Sequence, residues 1–138
     1  MSGDISLKAI GVVRTANKTR EETPVQPSRA VGIEGTVEVF PEYEKGLDGL
    51  ERFSHVFLIC CFDRAGPAEL TVTPHGRTER RGVFATRAPD RPNPIGLSLV
   101  RLLRREGTVL HVSDVDILDG TPLLDVKPYV AELDSRND

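Results

Sequence analysis

The chain has 138 residues, enough for one domain with its own core, and its 38% apolar content with 12 glycines is that of an ordinary globular protein. A formal charge of −3, from 18 basic and 21 acidic residues, excludes a general polycation; no run of about 18 apolar residues marks a membrane span, and no basic-then-apolar start marks a signal peptide. The only cysteines, Cys60 and Cys61, are adjacent, which argues against a disulfide framework; on a strand they point to opposite faces and cannot share one metal, so we expect a metal-free protein of the reducing cytoplasm.

Residues 5–14 alternate and are rich in Ile and Val, which predicts a first strand. Residues 15–30 are polar, carry Pro24 and Pro27, and form a long loop. Residues 35–40 read as a second strand. Leu47, Leu50 and Phe53 then recur at helical spacing after Pro41, which predicts a short helix over 41–53, weakened by Gly46 and Gly49. The apolar run 55–62 is the best core strand. Short extended pieces follow at 70–73 and 82–86, with loop at 74–81 between them. Residues 97–103 predict a strand, 104–107 a hairpin turn, and 108–118 its alternating partner. Asp119-Gly120 is a turn signal, 123–126 a last short strand, and the rest a polar tail. Six or seven strands and one short helix imply a mostly β chain: a single small barrel domain spanning 1–138, with long loops.

One stretch is too stiff and too polar for a plain connection, Gly82-Val-Phe-Ala-Thr-Arg87-Ala-Pro-Asp-Arg91-Pro92-Asn93-Pro94-Ile-Gly96-Leu-Ser98. Its three prolines fix their own φ and push each preceding residue toward extended geometry. A stiff backbone with guanidinium groups loses little entropy when a ligand docks. Between Arg77 and Arg105 eight arginines face only Glu79 and Asp90, a local charge of +6. Such asymmetry fits a phosphate-bearing partner meeting one face; a solvated strand pair with alternating arginines is the competing reading. No Gly-x-Gly occurs, so neither a Rossmann fingerprint nor a P-loop is present. His55, His75 and His111 lack metal-ligand spacing and read as structural or surface residues.

The central stretch resembles the signature of the TsaA-like (YaeB-like, TrmO) family of β-barrel S-adenosylmethionine (SAM)-dependent tRNA methyltransferases. Three further blocks agree: Ile10-Gly11-Val-Val-Arg14, Gly49-Leu-Glu-Arg-Phe-Ser-His55, and Asp116-Ile-Leu-Asp119-Gly-Thr-Pro-Leu-Leu-Asp125-Val-Lys-Pro-Tyr129. The resemblance implies methylation of the exocyclic amine of threonylcarbamoyl-adenosine beside the tRNA anticodon, with SAM bound near a homodimer interface. It maps cofactor contacts onto Gln26, Pro27, Asp63, Arg64, Arg87, Leu97, Asp119, Gly120, Thr121 and Pro122. The chain departs from the family at Asp63-Arg64, where His-Gln is common, and it ends soon after Tyr129, where many bacterial members carry a further domain. SAM's sulfonium is a cation that Asp116, Asp119 or Asp125 favours; its carboxylate suits the Arg87 fork. Arg77, Arg80, Arg81 and Arg91 are the candidates for tRNA phosphate contact. The base that takes the amine proton is not identified. Two other readings stay open: a related SAM enzyme acting on another RNA or a small molecule, and a SAM- or nucleotide-binding module without catalysis.

Overall fold

Buried positions, most of them valine or leucine, alternate with more exposed ones along the strand segments, and that period sets one face of each strand inward. The computed structural model describes residues 3–18, 32–74 and 76–136. Strands β1 (Gly11–Arg14), β2 (Glu34–Val39), β3 (His55–Cys61), β6 (Ile95–Glu106), β7 (Val109–Ser113) and β8 (Thr121–Pro128) close into a barrel in the order β1-β2-β7-β6-β3-β8. Every neighbouring pair is antiparallel. A two-stranded sheet of β4 (Thr71–Val72) and β5 (Arg81–Gly82) stands outside it. Closure leaves the six barrel strands no free edge. Two register shifts, between Leu102 and Arg104 on β6 and between Ile59 and Cys60 on β3, bend the sheet toward closure.

The interior is filled by Val13, Val37, Val56, Leu58, Val100, Leu110, Val112 and Leu123, all fully buried. Eight-stranded barrels are only just wide enough to be filled by side chains, so a six-stranded one has no room for a ligand inside. A binding site must then lie at a barrel end or on the outer face. The strand directions decide what each end carries. β1, β3 and β7 all leave the barrel at one end, and β2, β6 and β8 re-enter there, so of the described residues 15–18, 32–33, 62–74, 76–94 and 114–120 belong to that end. The other end holds the β6–β7 hairpin and the β2–β3 connection.

Several elements differ from the sequence expectation. The first strand is only Gly11–Arg14; Ile5 and Leu7 lie exposed. The predicted helix is two 3-10 helices, Pro41–Leu47 and Leu50–Arg52, interrupted where Gly49 adopts φ 90°. The extended piece at 82–86 is β5 followed by a 3-10 turn, Val83–Ala85. β6 runs five residues through the turn and signature ends that the sequence assigned to loop, reaching from Ile95 to Glu106. β7 stops at Ser113, because Asp114 takes φ 68°. A single α-helical turn, Ala131–Asp134, lies in the tail.

Candidate functional site

The loop end is stitched by polar contacts. Thr15 Oγ1 donates to the carbonyl of Ile117 at 2.9 Å, and Asn17 Nδ2 to the same carbonyl at 3.2 Å. Asp119 accepts from the Thr15 amide at 3.0 Å and from Lys18 Nζ at 2.9 Å. The Lys18 hydrogen bond, with the Thr15 amide and the charges of Lys18 and Arg14 adding to it, holds the Asp119 carboxyl below its ordinary range. The Gly120 amide donates to the Val13 carbonyl at 2.7 Å, and Gly120 itself has φ 83°, which favours glycine there. Arg64 reaches across to donate to the Asp119 carbonyl. The chain after β1, the corner after β3 and the start of β8 thus form one continuous wall. Thr15 and Asn17, both buried, were not singled out from the sequence; a Thr-x-Asn at a strand end is a weak signal by itself.

The proline-stiffened stretch is ordered by its own bonds. Val83 donates to the Leu70 carbonyl at 2.8 Å, Phe62 to that of Pro94 at 2.6 Å, and Ile95 to that of Asn93 at 2.7 Å. Asp90 accepts from the Gly66 amide at 2.7 Å. Gly96 is required by packing: a Cβ there would sit 2.0 Å from the Phe62 ring. Phe62 immediately precedes Asp63 and Arg64, so this contact sets the corner.

Ser98 follows Gly96 on the inward face of β6. Its hydroxyl donates to Asp116 Oδ1 at 2.7 Å. Burial pushes the Asp116 carboxyl above its ordinary value, against the Ser98 hydrogen bond and the charge of Arg87. Burial and the neighbouring Asp116 charge push the Cys60 thiol up to about 12, so it stays protonated and is no nucleophile. The result is a half-buried carboxylate within electrostatic reach of a guanidinium at the loop end. That arrangement suits a zwitterionic ligand, with a cation for Asp116 and a carboxylate for Arg87.

Of the residues mapped from the resemblance, Asp63, Arg64, Arg87 and Asp119–Pro122 belong to this end. Gln26, Pro27 and His75 lie outside the described residues. Leu97 points away from the Ser98–Asp116 pair, since strand neighbours alternate; with Ile95 it forms a half-exposed apolar strip on the outer face, where Leu97 pairs in register with Ile59. Arg91 NH1 donates to the carbonyls of Thr86 and Ala88, at 2.9 and 3.0 Å. Arg80 NH2 is fixed to Thr71, while Arg77 and Arg81 are exposed. A concavity of about 360 Å³ lies at the opposite end, between the 3-10 turns and β8; Asp48 and Arg52, its only charged lining residues, are both exposed.

The family model for the tRNA-methyltransferase O N-terminal domain matches residues 12–135. The chain belongs to this family. It is 55% identical over 132 residues to a Pyrococcus abyssi protein named "Probable S-adenosyl-L-methionine-binding protein", covering 96% of this chain and 72% of that one. A Mus musculus protein named tRNA (adenine(37)-N6)-methyltransferase is 37% identical over 141 residues, 97% of this chain and 33% of its own length. The crystal structure of TrmO from Pseudomonas aeruginosa superposes with a TM-score of 0.84 at 41% identity, over 99% of this chain and 60% of that chain. The chain therefore spans less than two thirds of that structure. Among the described residues no helix is long and apolar enough to cross a membrane, and no three His, Cys, Asp or Glu cluster as metal ligands do.

Proposed function

We propose that this chain is a SAM-dependent tRNA methyltransferase whose substrate atom is the exocyclic amine of threonylcarbamoyl-adenosine beside the anticodon. The observation that carries this is the Ser98–Asp116–Arg87 group at the loop end of a barrel of the TrmO N-terminal family. A half-buried carboxylate raised by desolvation lacks a full counter-charge, and a sulfonium supplies one. Bound there, SAM offers an electrophilic methyl group on a positively charged sulfur. Arg87 holds the amino-acid carboxylate through its fork, Asp116 faces the cation, and Ser98 fixes the Asp116 rotamer. Asp119-Gly120-Thr121-Pro122, Asp63 and Arg64 make the second wall, joined through the Arg64–Asp119 bond; Gln26 and Pro27 complete the cofactor contacts. Methyl transfer is an in-line displacement, so positioning of the amine against that methyl does much of the work.

Arg77, Arg80, Arg81 and Arg91 supply positive charge for tRNA phosphates; two donors of Arg91 are spent on loop carbonyls, so its role is chiefly its charge. The outer strip of Ile59, Ile95 and Leu97 is the face we assign to a second copy, which brings Leu97 toward the cofactor at a dimer interface. The work of such an enzyme is cytoplasmic. Methyl-labelled SAM incubated with tRNA that carries or lacks threonylcarbamoyl-adenosine tests the reading. Label entering only the modified tRNA supports it. Label entering another RNA or a small molecule moves the substrate. SAM binding with no transfer to any acceptor reduces the protein to a binding module. In the same assay Arg87→Ala lowers SAM affinity about 100-fold, on the order of 2.7 kcal/mol; unchanged affinity removes Arg87 from the site.

A further inference from the structure

Phe84 is the one aromatic of the signature stretch, and it is 75% exposed. Its backbone is not loose. It sits in the 3-10 turn Val83–Ala85, with Val83 fully buried on one side and the Thr86 amide bonded to the Val83 carbonyl at 3.1 Å on the other. The Arg91 guanidinium carbon lies 6.0 Å from the ring centroid, and Arg91 is itself held by the Thr86 and Ala88 carbonyls. The ring is thus presented rigidly to solvent with a cation on it. Exposed Leu70, whose carbonyl accepts from Val83, adds apolar surface beside it. The exposed Arg77, Arg80 and Arg81 lie on the segment that leads from β4 into β5, directly ahead of Val83 and Phe84, and Arg80 NH2 bonds Thr71, the residue after Leu70. Glu69, Glu79 and Asp90 are the acidic groups of the same region; the Glu69 amide donates to the Asp90 carbonyl at 3.0 Å, and the Asp90 carboxylate accepts from the Gly66 amide.

A lone apolar ring in a basic rim matches the surface of a single-stranded nucleic acid, whose bases stack while its phosphates meet arginine. It matches a second copy of this chain poorly. A two-fold contact centred on Phe84 sets one arginine rim against another, and like charges facing each other oppose association. The apolar strip suited to self-association lies elsewhere, on the outer face of β3 and β6. We propose that Phe84 is a stacking platform for an unpaired base of the RNA substrate, with Arg91 fixing the ring and Arg77, Arg80 and Arg81 holding the flanking backbone. This rests on the RNA reading above and adds to it the residue that selects unpaired over duplex substrate.

The chain has no tryptophan, so Phe84→Trp installs a single indole whose emission reports on that position alone. Titration with an anticodon stem-loop is expected to quench it saturably, and a fully paired duplex of the same bases is not. Phe84→Ala is expected to weaken stem-loop binding about 10-fold with SAM binding unchanged, and Phe84→Tyr to restore it. Quenching equal for stem-loop and duplex, or none at concentrations where a labelled stem-loop is bound, overturns the proposal. A spectral change that grows with protein concentration in the absence of RNA assigns the ring to self-association and overturns it too. The titration reads RNA contact directly. A wild-type protein that transfers no methyl group to tRNA defeats the functional reading, while quenching still decides the role of Phe84.

Discussion

At the loop end of the barrel, the chain between strands is long and fastened by side chains: Thr15, Asn17, Asp119, Arg64, Asp90 and Ser98 all spend polar atoms on fixing it. At the opposite end, β6 and β7 are joined by Gly107 and Thr108 alone, and Arg105 bridges to Asp48 and Glu51 on the 3-10 turns. Among the described residues, only the first holds a carboxylate whose burial outweighs its partners and raises it above its ordinary value. The carboxylates at the hairpin end, Asp48, Glu51 and Glu106, face solvent and cost little. The Asp116 carboxylate is held where water does not fully reach it, the kind of strain a fold keeps where a ligand relieves it. The concavity at the hairpin end is therefore less informative than the loop end, since volume without perturbed chemistry has no ligand to commit to.

The largest way to break this contrast is at Gly96. A Cβ there meets three atoms of the Phe62 ring at 2.0, 2.5 and 2.7 Å, so the ring must leave and the Asp63–Arg64 corner must follow. We expect Gly96→Ala to cost about 1–3 kcal/mol, as overpacking does, and to reduce SAM binding by more than the stability loss explains. Denaturant unfolding and a SAM titration on the folded variant check both halves. Normal SAM affinity in a merely destabilised variant would separate the corner from the site.

Asp116→Asn sharpens the contrast by splitting stability from function. The folded-state pKa of Asp116 is raised, so the fold favours its protonated form. That contribution is fully present below the ordinary carboxylate value of 3.8 and is lost as pH rises through the raised one. The ionised group at neutral pH is then a burden that Asn does not carry, while Asn still accepts from Ser98. The ligand-free variant is expected to be at least as stable as wild type at pH 7 and to lose that advantage toward pH 3. SAM affinity is expected to fall about 10-fold, on the order of 1.4 kcal/mol. Thermal unfolding across pH, with and without SAM, reads both; a variant less stable than wild type at pH 7 without ligand contradicts the argument.

Particular residues show what the sequence made legible. β3 was read within one residue, because an apolar run with Val, Phe and Ile has little else to become. The order and stiffness of 82–98 followed from its prolines. The boundaries of β6 did not: Gly96 and Pro94 look like loop residues until Phe62 is seen to need the space, and Arg104–Glu106 look like a turn until β7 is seen to pair with them. β7 was overextended because Val115 and Ile117 keep the alternation and are buried, yet Asp114 has already left the strand conformation. The 3-10 turns were read as one helix because three apolar residues at helical spacing do not reveal that Gly49 breaks the axis. The Ser98–Asp116 pair was invisible for a different reason. It is a contact across the barrel mouth, and no local pattern encodes which serine a given aspartate will meet.

The smallest expected effect belongs to the hairpin end, and it is the control for everything above. Arg105 is largely covered; its Nε donates to the Gly107 carbonyl at 2.8 Å, and NH1 lies 3.4 Å from Asp48 and 3.3 Å from Glu51. Backbone hydrogen bonding of Glu51, ahead of Arg105's charge, keeps the Glu51 carboxyl below its ordinary value, so the bridge is not the main thing holding that residue. Arg105→Ala loses stem packing and one hydrogen bond, and a fall of roughly 3–5 °C in Tm is expected. SAM affinity and methyl transfer, measured at a temperature where the variant is folded, should stay within about twofold of wild type, since surface changes away from a site rarely exceed ±0.5 kcal/mol. A large loss of transfer with Tm nearly unchanged would mean that the arginine bridge at the hairpin end reaches the chemistry, and the two ends could no longer be treated as separate.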